Sequence, residues 1–352
     1  MGKKGTVLLT GNTGYIGTVM TERLKKASYK VVGLDSGLFA ENYLYDVPSA
    51  AVPDRQIMKD IRNISGEDLD GIDAVIHLAG LSNDPMGELN PALTDEINRK
   101  STVTLARLSK SKGIGRFIFA SSCSIYGISD NKTAVKEDGE LRPLTAYARA
   151  KVDAEAGLAG LADRSFHPVF MRNATVYGLS PRLRLDLVVN NLLAWAVTTG
   201  EVNTMSDGTP WRPLVHIQDF CSAFLEALAA PHAAIHCQAL NVGKPDGIYQ
   251  VREIAEEVRK AVSGSKVKIL NRTGSDERSY RVDFSKIKKV LPGFKPQWTL
   301  DRGIGELLEA YRKYELNLDK FNSDKFFRIR AIRSLMESGR INKELIVKEV
   351  TR

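Results

Sequence analysis

Residues 6–17 read Thr6-Val-Leu-Leu-Thr10-Gly11-Asn12-Thr13-Gly14-Tyr15-Ile16-Gly17. The run Thr6–Thr10 predicts a short strand, and Gly17–Lys26 predicts a helix. The three glycines between them follow G-x-x-G-x-x-G, a spacing related to the commoner G-x-G-x-x-G. Glycine lets the backbone turn tightly and approach a pyrophosphate. The helix N-terminus behind it offers N–H donors and a partial positive charge to the same group. Taken alone, the three glycines also fit a plain turn.

Working outward, apolar runs at Lys30–Leu34, Ala74–Ala79, Arg116–Ala120 and Pro168–Met171 predict further strands. Helical patterns lie between them at Asp95–Ser111 and Ala146–Leu161, and further ones follow at Gln218–Ala229 and Gln250–Val262. Short strands alternating with helices predict an α/β fold with a doubly wound parallel sheet of the Rossmann type. Asp35 ends the second strand, 18 residues beyond Gly17. A carboxylate there accepts hydrogen bonds from an adenosine ribose and repels a 2′-phosphate, which favours NAD over NADP. It also fits a turn aspartate ahead of Ser36-Gly37. Asp60-Ile61 fits an adenine contact and, equally, a helix cap.

The chain has 352 residues, 43% of them hydrophobic and 26% charged, enough for a sizeable core. No apolar run reaches the length of a membrane span, and Met1–Thr10 lacks the apolar region of an export signal. Cys123, Cys221 and Cys237 are too few and too scattered for a disulfide framework or a zinc site. These features predict a reduced, cytoplasmic protein with no membrane partner and no bound metal. The net charge is +8, and residues 311–352 carry 11 basic against 6 acidic side chains. The other 310 residues therefore hold only +3, which is not a nucleic-acid footprint by itself. The organisation expected is a cofactor domain over 1–178, a substrate-binding portion over 179–312 that partly returns to the sheet, and a basic helical tail over 313–352.

Tyr147-Ala-Arg-Ala-Lys151 places a phenol and an ammonium four residues apart, on one face of a helix. A cation beside a phenol favours the phenolate, so Tyr147 is expected to act as a base. Most such pairs are solvated neighbours, and the spacing alone decides nothing. Ser121-Ser122-Cys123-Ser124-Ile125-Tyr126-Gly127 follows a core strand, where ligands bind in open α/β sheets. It also fits a serine-rich loop.

The glycine motif, Asp35, His77-Leu78-Ala79-Gly80, Asn98, the serine segment and the Tyr147–Lys151 pair together resemble the extended short-chain dehydrogenase/reductases. More narrowly, they resemble the NAD-dependent epimerase/dehydratase family that acts on nucleotide sugars. The resemblance spans roughly residues 5–312. It implies Ser122 as the catalytic hydroxyl, Tyr147 as the base and Lys151 as its partner and a contact to the nicotinamide ribose. NAD would lie along Gly11, Asn12, Thr13, Gly14, Tyr15, Ile16 and Gly17, Asp35, Asp60 and Ile61. Leu78, Ala79 and Gly80 would continue that site, with Asn98 in support. Arg212, in Gly208-Thr-Pro-Trp-Arg212, resembles the arginine that holds the substrate diphosphate, and a guanidinium suits that task. A surface arginine after Trp211 is the plainer reading of the same residue. Arg278 is a second candidate. Thr175 stands where the family's R-x-x-N-V-Y-G segment has its asparagine, and Asn190 and Asn191 are candidates for the nucleotide. Likeness to such enzymes also implies a homodimer through the helices Asp95–Ser111 and Ala146–Leu161. His77 fits a satisfied core histidine better than a cofactor contact, and Cys123 fits a small buried hydrophobe.

Family dehydratases carry an Asp-Glu pair after the catalytic hydroxyl, and here those positions are Cys123 and Ser124. The reading that follows is an NAD-dependent nucleotide-sugar epimerase, acting at the 4-position through a transient 4-keto sugar. A nucleotide-sugar 4-ketoreductase or dehydrogenase, or a 4,6-dehydratase, is the alternative within the class. A non-catalytic NAD- or RNA-binding protein is the alternative outside it, motivated by the basic tail.

Overall fold

The computed structural model describes residues 4–82, 84–129, 133–270 and 278–347. Six strands come first: β1 (Lys4–Thr10), β2 (Tyr29–Asp35), β3 (Arg55–Met58), β4 (Ala74–His77), β5 (Arg116–Ser122) and β6 (His167–Asn173). Then follow β7 (Thr175–Tyr177), β8 (Glu201–Thr204), β9 (Trp211–His216), β10 (Gln238–Val242), β11 (Ile248–Gln250) and β12 (Lys266–Ile269). Seven of them form one parallel sheet in the order β10-β6-β5-β4-β1-β2-β3. Parallel neighbours need crossovers, and helices supply them on both faces. The doubly wound sheet expected from the sequence is therefore present, with its strand order reversing beside β1.

The alternation within β1 shows how the layers form. Val7 and Leu9 point into one core with Val31, Ile76, Ile118 and Val169, while Leu8 points into the other with Val32, Val75, Phe117 and Phe119. A third core, around Leu193, Val202, Ile254, Leu307 and Tyr311, builds the smaller portion. That portion carries a three-stranded sheet, β11-β9-β7, and a two-stranded one, β12-β8. β10 returns to the main sheet beside β6. The sequence reading did not separate β3 or β10. β3 is a four-residue edge strand whose side chains are mostly exposed, so it lacks an apolar signal. Among the described residues no helix is long and apolar enough to cross a membrane.

The helix expected over Asp95–Ser111 is a composite. Pro91–Asp95 is α-helical, Glu96–Lys100 is a π turn, and Ser101–Ser111 is α-helical again. The helix Ala146–Ala159 starts at Thr145, whose hydroxyl caps it by accepting from the Ala148 N–H. Its third turn is tied down by Glu155. This carboxylate accepts from Ser121 Oγ at 2.5 Å and from Arg172 Nη2 at 2.7 Å. Arg172 also donates to the Tyr126 hydroxyl at 3.1 Å, and Tyr126 donates to Asn241 Oδ1 at 2.7 Å. Burial works against the charge on Arg172, and the carboxylate of Glu155 outweighs it.

Residues after Lys313 continue as Leu318–Asn322, a 3₁₀ turn Asp324–Phe326 and the helix Arg328–Glu337. They do not stand off in solvent. Ile332, Ile341 and Leu345 are buried in the core that also holds Leu34 and Ile61. Arg340 pairs with Glu41 at 2.7 and 2.8 Å, and Arg62 donates to the Glu344 carbonyl at 2.8 Å. Part of the basic excess is thus used inside the molecule.

The Glu155–Arg172 pair has only 7% side-chain exposure on each partner. Removing one partner of such a pair leaves a buried charge, and Glu155→Ala should cost about 3–5 kcal/mol in urea unfolding. The double variant Glu155→Ala/Arg172→Met should regain most of that loss. A single-variant loss near zero would mean that the pair does not anchor the helix.

Candidate active site

All parallel strands deliver their C-terminal ends to one edge of the sheet, and the candidate residues collect there. A cavity of about 1040 Å³ runs along that edge. It is lined by the glycine loop, Asp35, Asp60 and Ile61, and Leu78–Gly80 at one end. Ser122, Tyr147 and Lys151 follow, with Thr175, Arg212 and Arg278 beyond. It is larger than one small ligand requires.

The glycine loop is built for close approach. Gly11 has φ +74°, in the region that favours glycine. A Cβ on Gly17 would stand 2.0 Å from the Gly11 carbonyl oxygen, so a side chain there cannot be accommodated without moving the loop. Gly11, Gly14, Tyr15, Ile16 and Gly17 all line the cavity. The helix Tyr15–Lys26 opens directly behind them, with its N-terminus toward the cavity. Asp35 accepts from the Thr13 and Gly37 N–H groups at 3.1 and 2.9 Å, which fixes its carboxylate at the end of β2. Tight backbone, helix terminus and terminal carboxylate together fit a dinucleotide. Asn12 does not line this cavity: its amide donates to Gln56 Oε1 at 2.6 Å and packs against Gly33, bracing the loop on β3. Thr13 reaches the site through its backbone contact with Asp35. Asp60 caps the turn Ile61–Asn63, pairs with Arg62 at 2.6 Å and lines the cavity as well.

The π turn at Glu96–Lys100 has a local use. It aims Asn98 so that its carboxamide accepts from the Leu81 N–H at 2.8 Å and donates to the Leu81 carbonyl at 2.9 Å. Asn98 is buried and clamps the loop after β4, so it supports the cavity wall without lining it. His77 hydrogen-bonds to Thr10 and Thr102 through its two ring nitrogens at 2.7 and 2.8 Å. Burial, then the charge of Lys151, pushes its pKa down to about 3, so it is a neutral core histidine.

Ser122 ends β5, and its hydroxyl accepts from the Ser124 N–H at 3.1 Å and lines the cavity together with Tyr147. Lys151 Nζ donates to the Ala120 carbonyl at 2.7 Å and lies 5.7 Å from the Tyr147 ring centre. The electrostatics differ from the simple expectation that Lys151 lowers the phenol's pKa. Burial, followed by the charge of Asp84, pushes Tyr147 up to about 12, against the pull of Ser122, Arg184 and Arg278. Lys151 is itself pushed down to about 8 by burial, with Glu155 opposing. Desolvation is the largest cause of the shift in both groups.

At the far end, Arg278 pairs with Asp84 at 2.5 Å, and the Arg212 guanidinium donates to the Arg278 carbonyl. Asp84 also meets the Thr145 hydroxyl at the cap of the Tyr147 helix. Two arginines on separate elements are thereby brought together. Asn190 is placed elsewhere. It is fully buried, bonded to the Gly178 N–H, the Arg184 carbonyl and the Tyr15 hydroxyl, while Asn191 lines the cavity. Cys123 is buried, donates to the Arg172 carbonyl at 3.1 Å and has its thiol pushed up by burial. The sequence reading missed Asp84, Arg184, Asp186 and Arg328, all of which line the cavity. The charges in Arg182-Leu-Arg184-Leu-Asp186, set among apolar residues, were the available signal.

A lysine whose folded pKa lies below its unfolded value carries its burial cost in full below pH 8. That cost is relieved as pH rises toward 10.5, where the unfolded chain still holds the proton that the folded one has released. The stability of wild type relative to Lys151→Met should therefore rise between pH 8 and pH 10.5, by about 3 kcal/mol at most. Urea unfolding of both proteins across that window tests this, and a flat difference would contradict the buried, depressed lysine.

The description "NAD dependent epimerase/dehydratase family" matches residues 7–243. Similar proteins include UDP-glucose 4-epimerase 4 of Oryza sativa subsp. japonica, 27% identical with 87% of this chain and 89% of that one covered. The UDP-glucose 4-epimerase of Bacillus subtilis is 26% identical, covering 90% of this chain and 99% of its own. Among solved structures, MoeE5 in complex with UDP-glucuronic acid and NAD superposes with a TM-score of 0.76 at 26% identity, over 88% of this chain and 99% of that one. With a glycine loop, an Asp35 carboxylate and a Ser122–Tyr147–Lys151 set meeting in one cavity, this chain belongs to the NAD-dependent epimerase/dehydratase family.

Proposed function

We propose that this protein is an NAD-dependent UDP-sugar 4-epimerase. The observation that carries the reading is the meeting of Ser122, Tyr147 and Lys151 in one cavity, with Cys123 and Ser124 where a dehydratase would need acids. A buried, raised thiol and a hydroxyl are poor proton shuttles, which disfavours elimination of water. UDP is the nucleotide named for the relatives quoted above.

Arg212 and Arg278 would hold the diphosphate, leaving the sugar to extend toward Ser122 and Tyr147. Thr175, in place of an asparagine, offers a hydroxyl to the sugar. Tyr147 takes the proton of the 4-hydroxyl as the C4 hydride leaves, with Ser122 holding that hydroxyl in line. NAD, when bound, supplies the hydride acceptor and a positive charge beside the phenol, which opposes the burial that raises its pKa. For inversion, the keto-sugar would turn over in the cavity, and Tyr147 would return the proton to its oxygen once the other face is presented for reduction. Lys151, anchored on Ala120, orients the ribose and keeps the phenol's surroundings fixed.

We further propose a cytoplasmic enzyme of carbohydrate biosynthesis that works as a homodimer. Three free thiols suit a reducing compartment. The helices Ser101–Ser111 and Ala146–Ala159 leave Thr104, Arg107, Arg149 and Asp153 exposed for pairing. Light scattering should give twice the 38.9 kDa chain mass, and recovery should be in the soluble cytosolic fraction; a monomer would refute the dimer.

UDP-glucose, UDP-galactose and UDP-glucuronate should each be tried without added cofactor, with the product identified by NMR. An epimer is expected from at least one. A 4-keto-6-deoxy product would make the protein a dehydratase, and a need for stoichiometric nicotinamide would make it a reductase or dehydrogenase. Tyr147→Phe should lower turnover by roughly 10²–10⁴-fold and leave NAD bound.

A further inference from the structure

Arg328 opens the last described helix, and its side chain is 2% exposed. The guanidinium carbon lies 4.3 Å from the centre of the Phe39 ring, four residues after Asp35. Nη2 reaches only the Arg182 carbonyl, at 3.4 Å, and Nη1 has no hydrogen-bond partner. Stacking on an aromatic face offsets part of the burial of this cation but satisfies none of its N–H groups.

The surroundings do not neutralise it. Arg182 and Arg184 oppose its charge, whereas Asp35 and Asp186 favour it. Asp186 is already engaged by Arg184 through two bonds at 2.9 and 3.0 Å, and Asp35 by two backbone N–H groups. Burial first, then Arg184, pushes the Arg328 pKa down to about 9. An arginine held so short of partners in a ligand cavity is complementary to an anion.

Its position is firmly held. Leu185 N–H donates to the Phe326 carbonyl at 2.8 Å, Ile332 is fully buried, and Phe327 and Leu345 line the same cavity as Ser36, Phe39 and Ile61. The tail therefore closes the cofactor end of the cavity, opposite Arg212 and Arg278.

We infer that Arg328 is a phosphate-binding residue of the cofactor site, directing its guanidinium at the diphosphate of NAD held between the glycine loop and Asp35. The segment from Asp324 to Val347 thereby completes the dinucleotide site. The inference rests on NAD as cofactor. The other diphosphate that enters the cavity, that of the nucleotide sugar, is assigned to Arg212 and Arg278.

The test is calorimetric titration of the full-length protein, freed of bound nucleotide, with NAD, ADP-ribose and UDP. Wild type, Arg328→Gln and Arg328→Lys are compared. Arg328→Gln should weaken NAD and ADP-ribose by about tenfold or more, as loss of a charge-assisted bond predicts. Its UDP affinity should change less than about twofold, the ordinary scatter for a group not in contact. Arg328→Lys should recover part of the NAD loss, and the ligand-free melting temperature of Arg328→Gln should not fall, because an unpaired buried charge has been removed. Unchanged NAD affinity in Arg328→Gln overturns the inference, as does a loss confined to UDP. Equal losses for all three ligands without rescue by lysine also overturn it, because they would mark a structural role. Failure of the wild type to bind NAD or ADP-ribose would instead overturn the cofactor reading beneath it.

Discussion

The carboxylate of Glu155 joins the parts that the site requires. It binds Ser121 on β5 and Arg172 on β6, and Arg172 continues through Tyr126 to Asn241 on β10. Three strands, and the turn that follows β5, are thus locked to the helix that carries Tyr147 and Lys151. The pair is buried, so its geometry must be satisfied in full or it is a liability. Because Lys151 sits one turn before Glu155, the same carboxylate partly offsets the burial of the ammonium. Fold and electrostatics of the site therefore rest on one interaction.

Burial governs the chemistry in a second way. Tyr147, Lys151 and His77 are all moved toward their neutral forms by desolvation. Neighbouring charges then decide how far each is moved: Asp84 adds to the effect on Tyr147, while Arg184 and Arg278 reduce it. Under the proposed function, such a phenol would need positive charge beside it to act as a base, which would tie its reactivity to bound cofactor rather than to the bare helix. The basic tail belongs to the same electrostatic system, because it returns a buried arginine to the cofactor end of the cavity.

Much of the fold was legible because it rests on local signals. Thr6–Gly17 announces strand, tight turn and helix within a dozen residues, and Tyr147–Lys151 shares a helical face by spacing alone. The edge strand β3 was silent because its residues are mostly exposed and carry no apolar pattern. Asn190 and Asn191 are adjacent and chemically identical, yet one is buried as a brace and the other lines the cavity. Nothing in their spacing separates them, since the helix phase alone decides which faces the ligand. Asn12 likewise turned from the cavity to Gln56, a contact made across 44 residues.

The sequence by itself determined the parallel α/β layers and the glycine loop, and it put forward Ser122, Tyr147 and Lys151, which the structure brings to one cavity. The layers and the loop follow from periodicity and from residues within a few positions of one another, whereas the three candidates came from the family resemblance. Only the tertiary structure decided the charge states in the site and the place of the last thirty or so described residues. Desolvation and the summed field of Asp84, Arg184 and Arg278 depend on which distant segments pack together. No local pattern encodes that, because a charge is shifted by everything around it and not by its neighbours in the chain.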